Sequence, residues 1–330
     1  EEVAANVPRL DYSDGTCPSL LLEPTATNNL IQSNQFDTTW VISSSDVSVT
    51  PNQIGVGGST NAWKLTEGSF NGEHFIKQNP NIGGVVRTWF NLSNGTVGTS
   101  QGISAEMISM GDGWYRCVMV LDHQASFEYY IAVSYADGIS SYQGSNKYIY
   151  IQNAQLEENS HATSYIKTVG TTQTRVADTA TNSGNSTLIN SPKGVLYLEF
   201  SALPSDTFRA ISLNDGSNSN RILLYLTATD NQLRATTNSG AIEQTNLVKF
   251  VNDLTNYNKI AIRWQLNDVS LWANGIKIGE DLSALNPIGL NNLSFDDNGS
   301  GGSPFYGNIK DLRVYTTALS EAELTNLTKI

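Results

Sequence analysis

The chain has 330 residues, only 15% of them charged, and a formal net charge of -12. Such acidity excludes wrapping a nucleic-acid backbone, which needs clustered lysine and arginine, and it disfavours an anionic membrane surface. No apolar run approaches the roughly 20 residues that a bilayer-spanning helix needs, so membrane insertion is not expected. With so few charges, the polar surface must come from Asn, Ser, Thr and Gly, which favour turns and strands over helices.

In chain order, residues 1–27 read as an extended lead-in. Pro8, Pro18 and Pro24 each remove a backbone donor, which leaves an edge strand or a strap over a domain. The sequence opens without an initiator methionine or a signal peptide, as a processed or excised piece would. Residues 28–168 alternate short strand signals with turns. The strand runs are Asp46–Thr50, Val85–Phe90, Trp114–Leu121, Tyr129–Tyr135 and Lys147–Gln152. Between them lie Gly57-Gly58, Asn71-Gly72, Gly83-Gly84, Asn94-Gly95, Gly111-Asp112-Gly113 and Asp137-Gly138, which supply the positive φ of tight turns. This spacing predicts a sandwich or jelly roll.

Residues 169–187 are almost free of large apolar side chains and read as a linker. In residues 188–330 the strands resume at Gly194–Phe200, Arg221–Thr227, Ile260–Leu266, Val269–Trp272 and Asn308–Tyr315, with turns at Asn267-Asp268 and Asn274-Gly275. One terminal helix is expected. Ser320 followed by Glu323 is a capping box, and Leu319, Leu324 and Leu327 can share an apolar face. The expected fold class is all-β: two β-sandwich (jelly-roll) domains with a short C-terminal helix.

Three stretches then carry a resemblance: Asn29-Leu-Ile-Gln-Ser-Asn-Gln-Phe, Gly113-Trp-Tyr-Arg-Cys and Ile151-Gln-Asn-Ala-Gln-Leu-Glu-Glu-Asn-Ser-His-Ala-Thr-Ser-Tyr-Ile. With the opening Pro8-Arg-Leu-Asp-Tyr and Cys17-Pro-Ser-Leu-Leu-Leu-Glu-Pro, residues 8–180 resemble the carbohydrate-binding-module-like jelly roll of phage head-spike and fibre proteins. Residues 185–330 resemble a concanavalin A-like, laminin-G-type sandwich, through Val195-Leu-Tyr-Leu-Glu-Phe, Val269-Ser-Leu-Trp-Ala-Asn-Gly and the run from Tyr306 to Leu324. The second likeness fixes fold better than function, because such sandwiches host lectins, glycanases and structural modules alike.

Catalytic chemistry finds little support. Glycanases of this fold carry three acids at alternating strand positions, and no such run exists; Glu157 and Glu158 are adjacent and would point to opposite faces of a strand. His74, His123 and His161 are isolated, and ordinary polar positions explain them. Cys17 and Cys117 have no metal-type spacing; both sit in apolar runs and read as buried free thiols rather than one disulfide.

Sugar binding requires aromatic platforms flanked by amides or charged donors. Trp63 follows a turn and is a surface candidate, whereas Trp89 suits either core or surface. Tyr129 and Tyr142 bracket a Tyr/Ser/Gly-rich stretch of the kind that forms adaptable binding loops. Trp40, Trp114 and Trp264 read as core. Trp272 shares strand parity with Ser270 and Asn274 and is favoured as a surface aromatic, while Arg221, Tyr225 and Arg234 can share a sheet face.

The resemblance also implies a structural Ca2+, for which Asp296 and Asp297 beside Asn298 form the best loop, ahead of Asp112, Asp137, Asp215 and Asp230. It implies a non-catalytic fibre or head-decoration protein at the virion surface, with glycan or polysaccharide as partner, capsid or other virion subunits as neighbours, and a homotrimer as the assembly. The alternatives are a decoration protein without glycan binding, a secreted bacterial carbohydrate-binding or adhesive protein, and a polysaccharide-degrading enzyme with unfamiliar catalytic residues.

Overall fold

A computed structural model describes residues 7–13, 17–42, 47–78, 86–122, 129–204, 207–227 and 231–330. Asp46, the Gly83-Gly84 turn, Val85, His123 and Asp230 lie outside the described residues. The chain is all-β apart from a short 3-10 turn and one C-terminal helix, and it divides into two compact units. One is Thr25–Arg175. The other joins Glu1–Pro24 to Val176–Ile330.

In the unit of residues 25–175, two antiparallel three-stranded sheets supply most of the core. One orders Tyr129–Val133, His74–Gln78 and Val41–Ile42; the other orders Tyr148–Ile151, Ala62–Thr66 and Ser48–Gln53. Strand alternation decides what is buried. Leu65, Ile76, Val133 and Ile151 point inward onto Phe36, Trp40 and Trp63, and Phe36 is the hub, its ring centroid 5.0 Å from Trp40 and 6.1 Å from Trp63. Two further pairs, Thr88–Asn91 with Thr96–Ser100 and Ser104–Gly111 with Trp114–Val120, stand largely exposed. The second is a hairpin closed by Gly111, Asp112 and Gly113, whose φ angles of 82°, 52° and 78° explain the glycines.

The other unit is built of a seven-stranded and a five-stranded sheet. Lys193–Ala202 lies in the middle of the first, paired with Asn258–Gln265 and Gly307–Tyr315. The lead-in enters that sheet: Ser19–Leu22 pairs with Gly307–Tyr315, and Arg9 bridges Glu23 and Asp178, each at 2.6 Å. Between the two sheets lie Leu196, Leu198, Phe200, Leu213, Ile222, Leu224, Ile262, Trp264 and Phe305. The terminal helix, Glu321–Thr328, has the expected capping box and lays Leu319, Leu324 and Leu327 on the opposite face of the first sheet.

Three expectations change. Trp272 is only 3% exposed, because Leu324 of the helix, with Val195, Tyr197 and Ala261, covers the face that strand parity marked as polar. The hairpin loop is Leu266-Asn267, with Asn267 at φ 56°, one residue earlier than expected. Both cysteines are unbonded, but both are exposed: Cys17 sits on a bend before its strand, and Cys117 on the half-covered hairpin. Apolar neighbours in sequence do not bury a residue whose sheet face has no cover.

Candidate functional site

A cleft of about 390 Å3 opens in the unit of residues 25–175. Its walls come from five places in the chain. Gln32, Asn34 and Gln35 lead into the core residue Phe36. Pro51 and Asn52 sit on the bulge that breaks the register between Thr50 and Gln53. Thr60, Asn61 and Trp63 run into Ala62–Thr66, and Asn153 and Tyr165–Val169 supply the rest, Ile166 excepted. Two of the three resemblance-bearing stretches therefore meet here.

Local hydrogen bonding shapes the walls. Asn34 donates from Nδ2 to the Asn61 carbonyl at 3.0 Å, accepts from the Asn153 amide at 3.2 Å, and offers its own carbonyl to Trp63 Nε1 at 3.0 Å. Asn52 and Asn153 hold φ values of 62° and 56°, a region asparagine tolerates better than most side chains, so each turn also leaves an amide at the cleft. Tyr165 is fixed by a 2.6 Å hydroxyl–hydroxyl bond to Ser33. Asn28 braces the floor, accepting from the Leu30 and Leu156 amides and donating to the Ala154 and Ile166 carbonyls.

Six amide-bearing residues (Gln32, Asn34, Gln35, Asn52, Asn61 and Asn153) line the cleft beside the apolar surface of Pro51, Trp63 and Val169, and Lys167 is the one formally charged residue among those described. Gln32 is 9% exposed, and its Oε1 has no hydrogen-bond partner, although its backbone carbonyl accepts from Trp40 Nε1 at 2.9 Å. Among the described residues no Asp or Glu lines the cleft.

The aromatic candidates take various places. Trp63 does line the cleft, but it is only 7% exposed, too little surface for a stacking platform. Trp89 is half-buried and donates from Nε1 to the Ile139 carbonyl at 3.2 Å. Tyr129 packs on the core with its ring 5.9 Å from Trp40, and burial pushes its hydroxyl up to about 12.

Tyr142 is 8% exposed and serves the interior. Its hydroxyl donates to the buried carboxylate of Glu67, which also accepts from the amides of Ser145 at 2.8 Å and Lys147 at 3.2 Å. Burial alone would raise the Glu67 carboxyl; those hydrogen bonds, with His74 nearby, hold it below its ordinary value. Glu157 has a similar task in a loop rather than on a strand: it accepts from the Thr163 amide at 3.1 Å and hydroxyl at 2.7 Å.

In the other unit, Arg221 donates to the Asp297 carbonyl at 3.1 Å and to Asn218, and so ties two loops together. Tyr225 packs on Phe208 at 6.2 Å. Arg234 bonds Asn246 at 2.8 Å and pairs with Glu243 at 3.2 Å. Asp296 is almost wholly buried and accepts from the amides of Asn298, Gly299 and Gly301, the bonding of a loop staple that leaves little free for a cation. Burial chiefly, and Asp296 as neighbour, raise the Asp297 carboxyl against the pull of Arg221. Among the described residues no group of three or more His, Cys, Asp or Glu is placed to hold a metal.

Sequence reading overlooked the amides of the cleft and Tyr165, although the stretches containing most of them had been noticed as motifs. It also overlooked Tyr148 and Tyr150, half-exposed on one strand, whose period-two pattern with Ile149 and Ile151 is plain in the sequence.

Against this geometry, residues 196–325 match the concanavalin A-like lectin/glucanases superfamily. No curated protein matches the chain. Similar solved structures include the carbohydrate-binding module CBM40 of Ruminococcus gnavus IT-sialidase bound to alpha2,3-sialyllactose, at 20% identity over 46% of this chain and 94% of that one, with a TM-score of 0.38. Another is domain 4 of the arabinanase AbnA from Geobacillus stearothermophilus in complex with arabinotriose, at 16% identity over 48% and 73%, with a TM-score of 0.37. A third is the SAP-like pentraxin of Limulus polyphemus, at 13% identity over 45% and 74%, with a TM-score of 0.34. Likenesses this distant transfer neither ligand nor residues. No helix is long and apolar enough to cross a membrane among the described residues.

Proposed function

We propose that the chain is a non-catalytic carbohydrate-binding protein whose saccharide site is the amide-lined cleft of residues 25–175. One observation carries the reading: six amide-bearing residues, Trp63 and Tyr165 line one cleft, with no carboxylate among the described residues that line it. Amides donate and accept at once, which suits hydroxyls that do the same. The volume lies within the range of small-molecule sites. The superfamily match of residues 196–325 supports saccharide handling by the other unit as well.

The resemblance of residues 8–180 to phage head-spike and fibre jelly rolls supports a place on the virion surface, where many copies convert weak sites into firm attachment. Association as a homotrimer and contact with capsid subunits rest on the same resemblance. Purification of the phage that carries the gene, with immunogold labelling of the particles, tests that placement.

Gln35 and Asn61 are both exposed, so Gln35→Ala/Asn61→Ala changes the cleft without touching the core. Two lost hydrogen bonds predict affinity about thirtyfold weaker for the best saccharide of a neutral and acidic panel, read by calorimetry. Retention of no saccharide by the unaltered protein, or release of reducing ends from any of them, would overturn the reading.

A further inference from the structure

Outside the cleft, the outer face of the sheet Tyr148–Ile151, Ala62–Thr66 and Ser48–Gln53 carries aromatics that the core does not use. Tyr148 is 50% exposed and Tyr150 43% exposed, while Ile149 and Ile151 between and beyond them face inward. The two phenol rings are 5.5 Å apart, and the Trp114 ring lies 6.5 Å from Tyr150. Lys64 Nζ sits 3.9 Å from the centre of the Tyr148 ring. Across the ladder Tyr148 faces Thr66 and Tyr150 faces Lys64, and these in turn face Ser48 and Thr50. A row of rings is thus bordered by hydroxyls and one ammonium.

The same three strands build the cleft. Thr50 precedes Pro51 and Asn52, Lys64 follows Trp63, and the strand of the tyrosines runs on to Asn153. From Tyr148 to Asn153 the chain covers about 16 Å at strand rise, longer than one sugar ring.

We infer that Tyr148 and Tyr150, with Lys64 and Trp114 beside them, extend the cleft into a track for a polysaccharide chain, so that the ligand is a polymer rather than a single terminal sugar. This rests on the cleft being a saccharide site. The cleft fixes one unit through hydroxyl hydrogen bonds, and the rings receive the C–H faces of the units that follow. Aromatic surface suits that task because it desolvates readily and has only two side-chain torsions to freeze.

The test compares Tyr148→Thr/Tyr150→Thr, which keeps strand propensity, with the unaltered chain and with Gln35→Ala/Asn61→Ala. Each is measured by affinity electrophoresis in gels containing dextran, mannan, xylan, alginate or hyaluronan, and by calorimetry with the di- and trisaccharides of whichever polymer is retained. Circular dichroism and an unchanged thermal midpoint establish folding. The expected result is retention by polymer about tenfold weaker in the tyrosine variant, with short-fragment affinity unchanged. Unchanged polymer retention in that variant would overturn the track and leave the cleft standing. An equal loss for polymer and short fragment would also overturn it, since the rings would then belong to the cleft itself. Polymer binding lost in the tyrosine variant but intact in the amide variant would refute the cleft and, with it, the track as an extension of the cleft, leaving the rings as a separate binding surface. If the unaltered chain retains none of the polymers, both fall.

Discussion

Trp264→Ala should lower the unfolding free energy of its unit by about 3–5 kcal/mol, the range for emptying a large aromatic site in a packed core. Trp264 is fully buried between the two sheets of that unit. Its indole Nε1 donates to the carbonyls of Asn190 at 3.1 Å and Ser191 at 3.2 Å, so truncation removes a partner from two backbone acceptors as well as leaving a cavity. The ring lies directly over Gly194, where an added Cβ would fall 2.4 Å from the indole. Gly194→Ala should therefore act in the same direction by displacing the ring. Denaturant unfolding followed by tryptophan fluorescence and circular dichroism checks both variants. A loss under about 1 kcal/mol for Trp264→Ala would mean that the indole does not hold this core together.

Glu67→Ala should cost the unit of residues 25–175 about 2–4 kcal/mol, because it strands buried donors that the carboxylate now satisfies. Those donors are the Tyr142 hydroxyl and the amides of Ser145 and Lys147, and Glu67 itself is 1% exposed. Glu67→Gln keeps the shape and one acceptor and should cost less. The pH dependence follows from the sign of the shift. The folded carboxyl titrates below its ordinary value of 4.5, so its contribution is complete above that pH and disappears as pH falls through the folded value. Thermal midpoints of the unaltered chain between neutral pH and pH 3 should therefore fall more steeply than those of Glu67→Gln. Parallel curves would contradict the assignment.

Much of the architecture was legible because turns and strand alternation are local signals. Asn274-Gly275 turns where expected, the Ser320–Glu323 cap starts the helix, and Trp40 and Trp264 lie in cores. What failed was non-local. Strand parity correctly separated the faces of Val269–Trp272, but only the packing of Leu324, some fifty positions further on, decides that the second face is covered too. The cysteines differ for the opposite reason: an apolar run in sequence does not bury Cys17 on its bend or Cys117 on a hairpin that is only half covered.

The site was half legible. The stretches Asn29–Phe36 and Ile151–Ile166 stood out as motifs, yet nothing in either says that a bulge at Pro51–Asn52 and the Asn61 turn will complete a cleft between them. Tyrosine-dense stretches drew attention to Tyr129 and Tyr142, whose rings are spent on the interior. Tyr148 and Tyr150, in a plainer strand, are the exposed ones.

The most direct measurement is an amide-resolved NMR titration of the whole chain with the saccharide it binds best, with the ligand recovered and sized afterwards. The account predicts shifts concentrated at Gln32–Gln35, Asn52, Asn61, Asn153 and Tyr165–Thr168, and an uncut ligand. Shifts confined to residues 176–330, or a shortened ligand, would contradict it.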